Sequence, residues 1–93
     1  MATWPDLAAI EALVAVADHG SLAAAARATD MAQPNVSRSI ARLERRFGLS
    51  LIHRSTTGAT LTAQGLVVVE WSRDLLDAAR RLADGVAALG DGP

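Results

Sequence analysis

From Asp6 to Phe47 the apolar residues return every three or four positions, and the pattern is cut at Gly20 and ended at Gly48. A chain patterned this way is confined to short amphipathic helices packed on one another. Leu7, Ile10, Leu13, Val14 and Ala17 mark a first helix over residues 6–17, with Pro5 tolerated near its start. Ser21 is placed to accept a hydrogen bond from an unpaired amide of a second, two-turn helix, whose Leu22, Ala25, Ala26 and Ala28 allow close approach by a neighbour. Residues 29–32 read as a tight turn. A third helix starts around Gln33 and Pro34, where proline's missing N–H costs nothing, and its inward face is Val36, Ile40, Leu43 and Phe47. With one Phe, two Trp and no Tyr, the core has to come from Leu, Val, Ile and Ala, which favours thin, closely crossing helices.

Beyond Gly48, residues 51–54 and 59–62 alternate weakly around Thr56, Thr57 and Gly58, the pattern of two very short strands about a turn. The helical pattern then returns over residues 63–89. Val68, Leu75, Leu82 and Leu89 repeat every seven residues, with Trp71, Ala78 or Ala79, and Val86 between them, which reads as a coiled-coil seam for a helix of a second chain. Gly90, Asp91, Gly92 and Pro93 form a linker-like tail. Ninety-three residues suit one small domain, here divided into residues 1–62, the 63–89 helix and the tail at 90–93. There is no cysteine, so no disulfide framework or thiolate metal site, and the absence of a secretory signal or a long apolar run points to a cytoplasmic, non-membrane protein.

The net charge of −1 hides an uneven distribution. Residues 1–30 carry four acids against Arg27, and residues 70–93 carry five acids against three arginines. Residues 31–69 carry Arg38, Arg42, Arg45, Arg46 and Arg54 against Glu44 alone, so an anionic partner is expected there. Two short helices joined by about four residues, the second opening with polar residues and carrying Arg outward, make a helix-turn-helix. A major groove admits one α-helix, so the outward positions must be small or hydrogen-bonding and the opposite face apolar enough to hold the helix. Gln33, Pro34, Asn35, Ser37 and Arg38 are the outward positions, continued by Arg42 and Arg45. An enzyme is excluded on inventory: His19 and His53 are isolated, no His pair has metal spacing, and no Gly-rich phosphate loop follows a strand. No cofactor is expected.

Gly20-Ser21-Leu22 with Ala25-Ala26, Gln33-Pro34-Asn35-Val36-Ser37-Arg38-Ser39-Ile40, Leu43-Glu44, Phe47-Gly48, Leu51-Ile52-His53-Arg54 and Leu61-Thr62-Ala63-Gln64-Gly65 together resemble the N-terminal region of LysR-type transcriptional regulators. The likeness runs over residues 7–90. It implies a mainly α fold: a winged helix-turn-helix of three helices and a two-stranded wing, followed by a long linker helix that pairs antiparallel in a homodimer on double-stranded DNA. Family members usually continue into an effector-binding domain that takes a small molecule; nothing in this sequence represents it, so a fragment of a longer chain is expected. The sequence departs from the family in places. Leu13, Leu22 and Ile52 stand where Phe is frequent, Thr29 where a buried Leu is common, and Ala32 where Ser or Thr usually caps the third helix. Losing that cap is expected to cost about 1 kcal/mol of helix stability.

In this frame Arg38 reaches guanine O6 and N7 or a phosphate, or else only solvates the helix face, while Gln33 and Asn35 offer the donor and acceptor that adenine's edge requires, Gln33 being the stronger candidate. Pro34 either packs on a thymine methyl or serves only as a helix-start residue. Ser37 and Ser39 suit phosphate contact or plain exposure. Arg54 is directed at the backbone by the resemblance, or is a solvated or acid-paired arginine; His53 meets groove or phosphate or is simply exposed, and Thr56 and Thr57 lie where a wing tip meets phosphate or forms an ordinary turn. The dimer seam is Val68, Trp71, Leu75, Ala79, Leu82, Val86 and Leu89, and Trp4 either covers the first helix or meets the partner's long helix. The alternative is a helical homodimeric interaction module without DNA affinity, favoured by the acidic pI near 6.0 and by Ala32, and opposed by Arg38, Arg42 and Arg54.

Overall fold

The computed structural model describes residues 3–55 and 58–90. Three helices come first: α1 (Leu7–His19), α2 (Leu22–Thr29) and α3 (Gln33–Phe47). An antiparallel hairpin follows, β1 (Ile52–Ser55) paired with β2 (Gly58–Leu61) in the register Ile52 to Leu61 and Arg54 to Ala59. The last element is α4 (Ala63–Gly90). Thr56 and Thr57, expected at the wing tip, lie outside the described residues, as do residues 91–93. Gly58 belongs to β2 and Gly90 to α4, one position inside elements whose ends the sequence placed beside them.

The helix ends follow from local chemistry. Asp6 Oδ1 accepts the Ala8 N–H at 3.0 Å and Ser21 Oγ accepts the Ala24 N–H at 3.0 Å, each satisfying an amide that has no partner inside its helix. Gly20 and Gly48 close α1 and α3 in the left-handed conformation, at φ 81° and 67°, a backbone shape glycine adopts without steric cost. Asp30 does the same for α2 at φ 56°. Ala32 leaves α3 without a side-chain cap. Thr29, in place of an apolar residue, is accommodated because its Oγ1 donates to the Ala25 carbonyl at 2.8 Å.

The core is built of small and branched residues. Ile10, Leu13 and Val16 of α1, Ala25 and Ala26 of α2, and Val36, Ile40 and Leu43 of α3 are buried together. Leu51, Ile52 and Ala59 close it from the hairpin, and Val68, Val69 and Leu76 from α4. Buried Ser39, Thr62 and Ser72 are accommodated: among the described residues no buried side-chain polar atom lacks a hydrogen-bond partner. The start of α4 lies against the hairpin's root. Thr62 Oγ1 donates to the Ser50 carbonyl at 2.6 Å and accepts the Gly65 N–H at 2.9 Å, while the Thr62 N–H donates to the Leu51 carbonyl at 3.0 Å.

Helix α4 has two faces of different length. Gly65, Val68, Val69, Ser72 and Leu76 are buried against the body, and that face ends at Leu76. The other, at Val67, Trp71, Leu75, Ala78, Leu82, Val86 and Leu89, is exposed and runs to the last turn; Trp71 is 68%, Leu82 69% and Leu89 83% exposed. Its spacing is four, four, three, repeated, an 11-residue period and not the expected seven. A strict heptad drifts about 20° per repeat on a straight α-helix. Stepping back three heptads from Leu89 therefore lands on Val68, which has turned into the body and is 8% exposed. Val68 is thus a core residue of its own chain, and Val67 takes its place on the open stripe.

Candidate nucleic-acid interface

Helix α3 is held by one side and free on the other. Val36, Ser39, Ile40 and Leu43 are buried, whereas Gln33, Pro34, Asn35, Arg38, Arg42, Arg45 and Arg46 are exposed and Ser37 is half-buried. The apolar spacing that anchors the helix leaves its first two turns presenting amides, a hydroxyl and a guanidinium on one surface. Ser39 is the correction to the sequence expectation: at 4% exposure it faces the core, and its Oγ accepts from Arg42 Nη2 at 3.4 Å. Within the exposed group Arg38 Nη2 donates to Asn35 Oδ1 at 2.5 Å, so two candidate base-reading side chains are joined to each other.

The wing is pinned to this helix by Glu44, which the sequence marked only as the lone acid among the arginines of this region. Its Oε2 accepts the Leu51 N–H at 2.8 Å and the Ile52 N–H at 3.4 Å, and its Oε1 accepts from Arg54 Nη1 at 3.4 Å. Arg54 Nη2 also donates to the Ser37 carbonyl at 3.4 Å. Arg54 therefore bridges β1 and α3 while its side chain stays 41% exposed. Successive strand residues point to opposite faces, which puts Arg54 on the side of buried Ile52 and sends exposed His53 the other way. Of the residues expected on the DNA side, the structure gathers Gln33, Pro34, Asn35, Ser37, Arg38 and Arg54 around the start of α3, carries Arg42 one turn further on, and places His53 on the outer face of the hairpin. The weak signal for Glu44 was its position as the lone acid among five arginines.

Two further ties orient the rest of the molecule. Arg73 on α4 pairs with Asp18 at the end of α1, Nη2 to Oδ1 2.7 Å. The hydrogen bond from Arg73 holds the Asp18 carboxyl below its ordinary value, with slight burial opposing it and the Arg73 charge assisting. Arg46 Nη1 donates to the Trp4 carbonyl at 3.1 Å. Trp4 is 67% exposed, which speaks against its being a cover over α1. Pro5, Ile10, Phe47, Leu49, Trp71 and Leu75 line an open apolar groove between the chain's start and α4. No group of three or more His, Asp or Glu side chains suited to a metal ion occurs among the described residues, and no described helix is long and apolar enough to cross a membrane.

Three packed helices, a two-stranded wing and an exposed, polar third helix define a winged helix-turn-helix module. The comparisons with known proteins agree. Residues 7–66 match the family of bacterial regulatory helix-turn-helix proteins of the lysR type, and the chain belongs to that family. It is 43% identical over 84 residues to the SDS degradation transcriptional activation protein of a Pseudomonas species, covering 90% of this chain and 28% of that one. An uncharacterised HTH-type transcriptional regulator of Mycobacterium bovis is 40% identical over 85 residues, 91% of this chain and 27% of its own length. The chain thus spans less than a third of these curated relatives. Among solved structures, the CbnR DNA-binding domain in complex with DNA superposes with a TM-score of 0.82 at 34% identity, over 91% of this chain and 98% of that one. The BenM DNA-binding domain on its catB site 1 DNA gives 0.84 at 26% identity, over 95% and 99%.

Proposed function

We propose that this chain is the DNA-reading part of a bacterial transcription regulator and acts as a homodimer on double-stranded DNA. The observation that carries this is the outward face of α3: amide, hydroxyl and guanidinium groups on two exposed turns, held rigidly by Val36, Ile40 and Leu43. A helix of this shape and chemistry fits the major groove, where base edges differ in their donors and acceptors. Gln33, Pro34, Asn35, Ser37 and Arg38 face the bases, and Arg42 faces phosphate. Arg54 faces the backbone beside the groove, sharing its guanidinium between Glu44 and a phosphate. His53, on the opposite face of the strand, reaches a phosphate only past the hairpin's outer side, and Thr56, expected at the wing tip, is the further candidate for a backbone contact. The solved DNA complexes of CbnR and BenM support this reading.

The second copy packs on the open stripe of α4: Val67, Trp71, Leu75, Ala78, Leu82, Val86 and Leu89, flanked by Ala79. Large apolar side chains left in water along six turns favour a matching surface. In an antiparallel pair crossing at Ala78, Val67 meets the partner's Leu89 and Asp74 lies opposite the partner's Arg81. A small-molecule effector would act only in a longer chain that carries an effector-binding domain.

Fluorescence anisotropy of a labelled duplex across a salt series tests DNA binding. Log K should fall linearly with log salt, with a slope set by several neutralised phosphates. Arg38→Ala should lower affinity and relax sequence preference, whereas Arg54→Ala should weaken all duplexes alike and reduce the slope by about 1. If both variants lose only sequence-independent affinity, base reading by Arg38 is wrong. A folded dimer that binds no duplex at low salt is an interaction module instead.

A further inference from the structure

We infer that Asn35 is a positioning residue for Arg38, and that the pair reads guanine together, in place of Asn35 reading adenine on its own. The inference rests on the DNA-binding function proposed above. Asn35 and Arg38 stand three residues apart on the exposed face of the first turns of α3, and Asn35 Oδ1 accepts from Arg38 Nη2 at 2.5 Å. Side chains at this spacing lie one above the other on a helix, so the bond needs no distortion. Asn at a helix start often spends its oxygen on a backbone amide. Here it does not, and Asn35's own N–H is already donated to the Ala32 carbonyl at 2.9 Å.

Two consequences follow from the bond. An arginine otherwise free in solvent loses rotamer entropy when it binds, and a guanidinium already fixed loses less. One Nη is engaged by Asn35, yet each Nη carries two hydrogens, so the fork that matches guanine O6 and N7 is still available. The second consequence concerns Asn35 itself. Reading adenine bidentately requires its oxygen to accept from the N6 amino group. That oxygen now has a full positive charge beside it, which repels an amino group and favours an edge made of acceptors. The guanine edge is such an edge. The adenine-reading role therefore falls to Gln33, and Asn35 contributes through the orientation of Arg38.

The test uses the duplex that the wild-type chain selects from a random pool, together with versions in which each guanine in turn is replaced by adenine. Binding is measured for wild type, Asn35→Ala, Asn35→Asp, Arg38→Ala and the double Ala variant, with helix content checked by circular dichroism. Wild type should prefer guanine about tenfold at the position Arg38 reads, and Asn35→Ala should lose most of that preference. Asn35→Asp keeps the acceptor and so should keep the preference, while its charge weakens every duplex alike. Adding Asn35→Ala to Arg38→Ala should change nothing more at that base. The inference is overturned if Asn35→Ala leaves the guanine preference intact, if its effect adds to that of Arg38→Ala, or if it abolishes an adenine preference instead. A wild-type chain that selects no duplex overturns DNA reading itself. The pair is then still testable in the free protein: rotation of the Arg38 guanidinium, followed by nitrogen NMR, should be slower in wild type than in Asn35→Ala, and equal rates overturn the pairing.

Discussion

Gly65 is a residue the fold cannot exchange. A Cβ at this position would stand 2.0 Å from the Leu51 carbonyl oxygen, so the first turn of α4 reaches the hairpin's root only because no side chain intervenes. In an isolated helix Gly→Ala is stabilising by up to about 1 kcal/mol. Gly65→Ala should instead destabilise by about 2–3 kcal/mol, the cost of forcing packed backbones apart. Urea unfolding decides the sign: a higher midpoint would mean that the two segments part freely. Ala32 carries the opposite prospect. No side chain caps α3, and Ala32→Ser should add about 1 kcal/mol, read as a raised unfolding midpoint; an unchanged midpoint would mean that water already serves the free amides. The two residues differ in legibility. The missing cap at Ala32 is visible in the sequence because capping is a local matter of one residue and the next turn. Gly65 shows only as a glycine in a helical stretch, since the carbonyl it accommodates comes from Leu51, brought near by the fold.

At the scale of the element, periodicity predicted the four helices and two strands found among the described residues, because a 3.6-residue or two-residue period is set by the backbone and needs no partner to be seen. The face of α4 was harder to read. Its apolar residues serve two surfaces, one against the body up to Leu76 and one in solvent beyond it, and a heptad threads through both. Only the position of α1 and the hairpin assigns Val68 to the first and Val67 to the second. The crossing of α1 and α4 is fixed at its edge by Asp18 and Arg73, acids and bases 55 residues apart whose pairing no local pattern announces. Because folding lowers the Asp18 pKa, the pair stabilises the protein above the unfolded carboxylate value of about 3.9, and that contribution is lost as pH falls through and below it. Both side chains are nearly half exposed, so solvent limits the effect to a few tenths of a kcal/mol, about 0.3–0.5. Asp18→Asn should accordingly be slightly less stable than wild type at pH 7, with the gap narrowing as pH falls through the carboxylate range and closing below the folded-state pKa of Asp18; a gap that stays the same through that range would assign the difference to something other than the ion pair.

For the whole molecule, the decisive surface is the stripe that continues past the body. Leu82 lies on it, 69% exposed and beyond the last residue of α4 that touches the core. Leu82→Asp should therefore leave the thermal unfolding of the body unchanged while shifting sedimentation from dimer to monomer, and should weaken binding to a duplex with two half-sites far more than to one with a single half-site. A variant that stays dimeric would place the interface elsewhere. The residues proposed to face DNA were legible as polar and basic types on one exposed helix face. What the sequence withheld was the bond of Asn35 to Arg38 and, though acid pairing of Arg54 was one open reading, the identity of its partner Glu44, because such bonds depend on rotamers and on a wing folded back over the helix. The anchoring of α4 has a mechanical meaning as well. Thr62, Gly65, Arg73 and Leu76 clamp its first half to the same body that carries α3, while the turns after Leu76 project about 21 Å. The module is a lever with a short arm at α3 and a long arm at the tip of α4. A swing of about 5° about the clamp carries that tip roughly 2 Å, so whatever grips the last turns aims α3 with fine angular control, from a distance and without touching DNA.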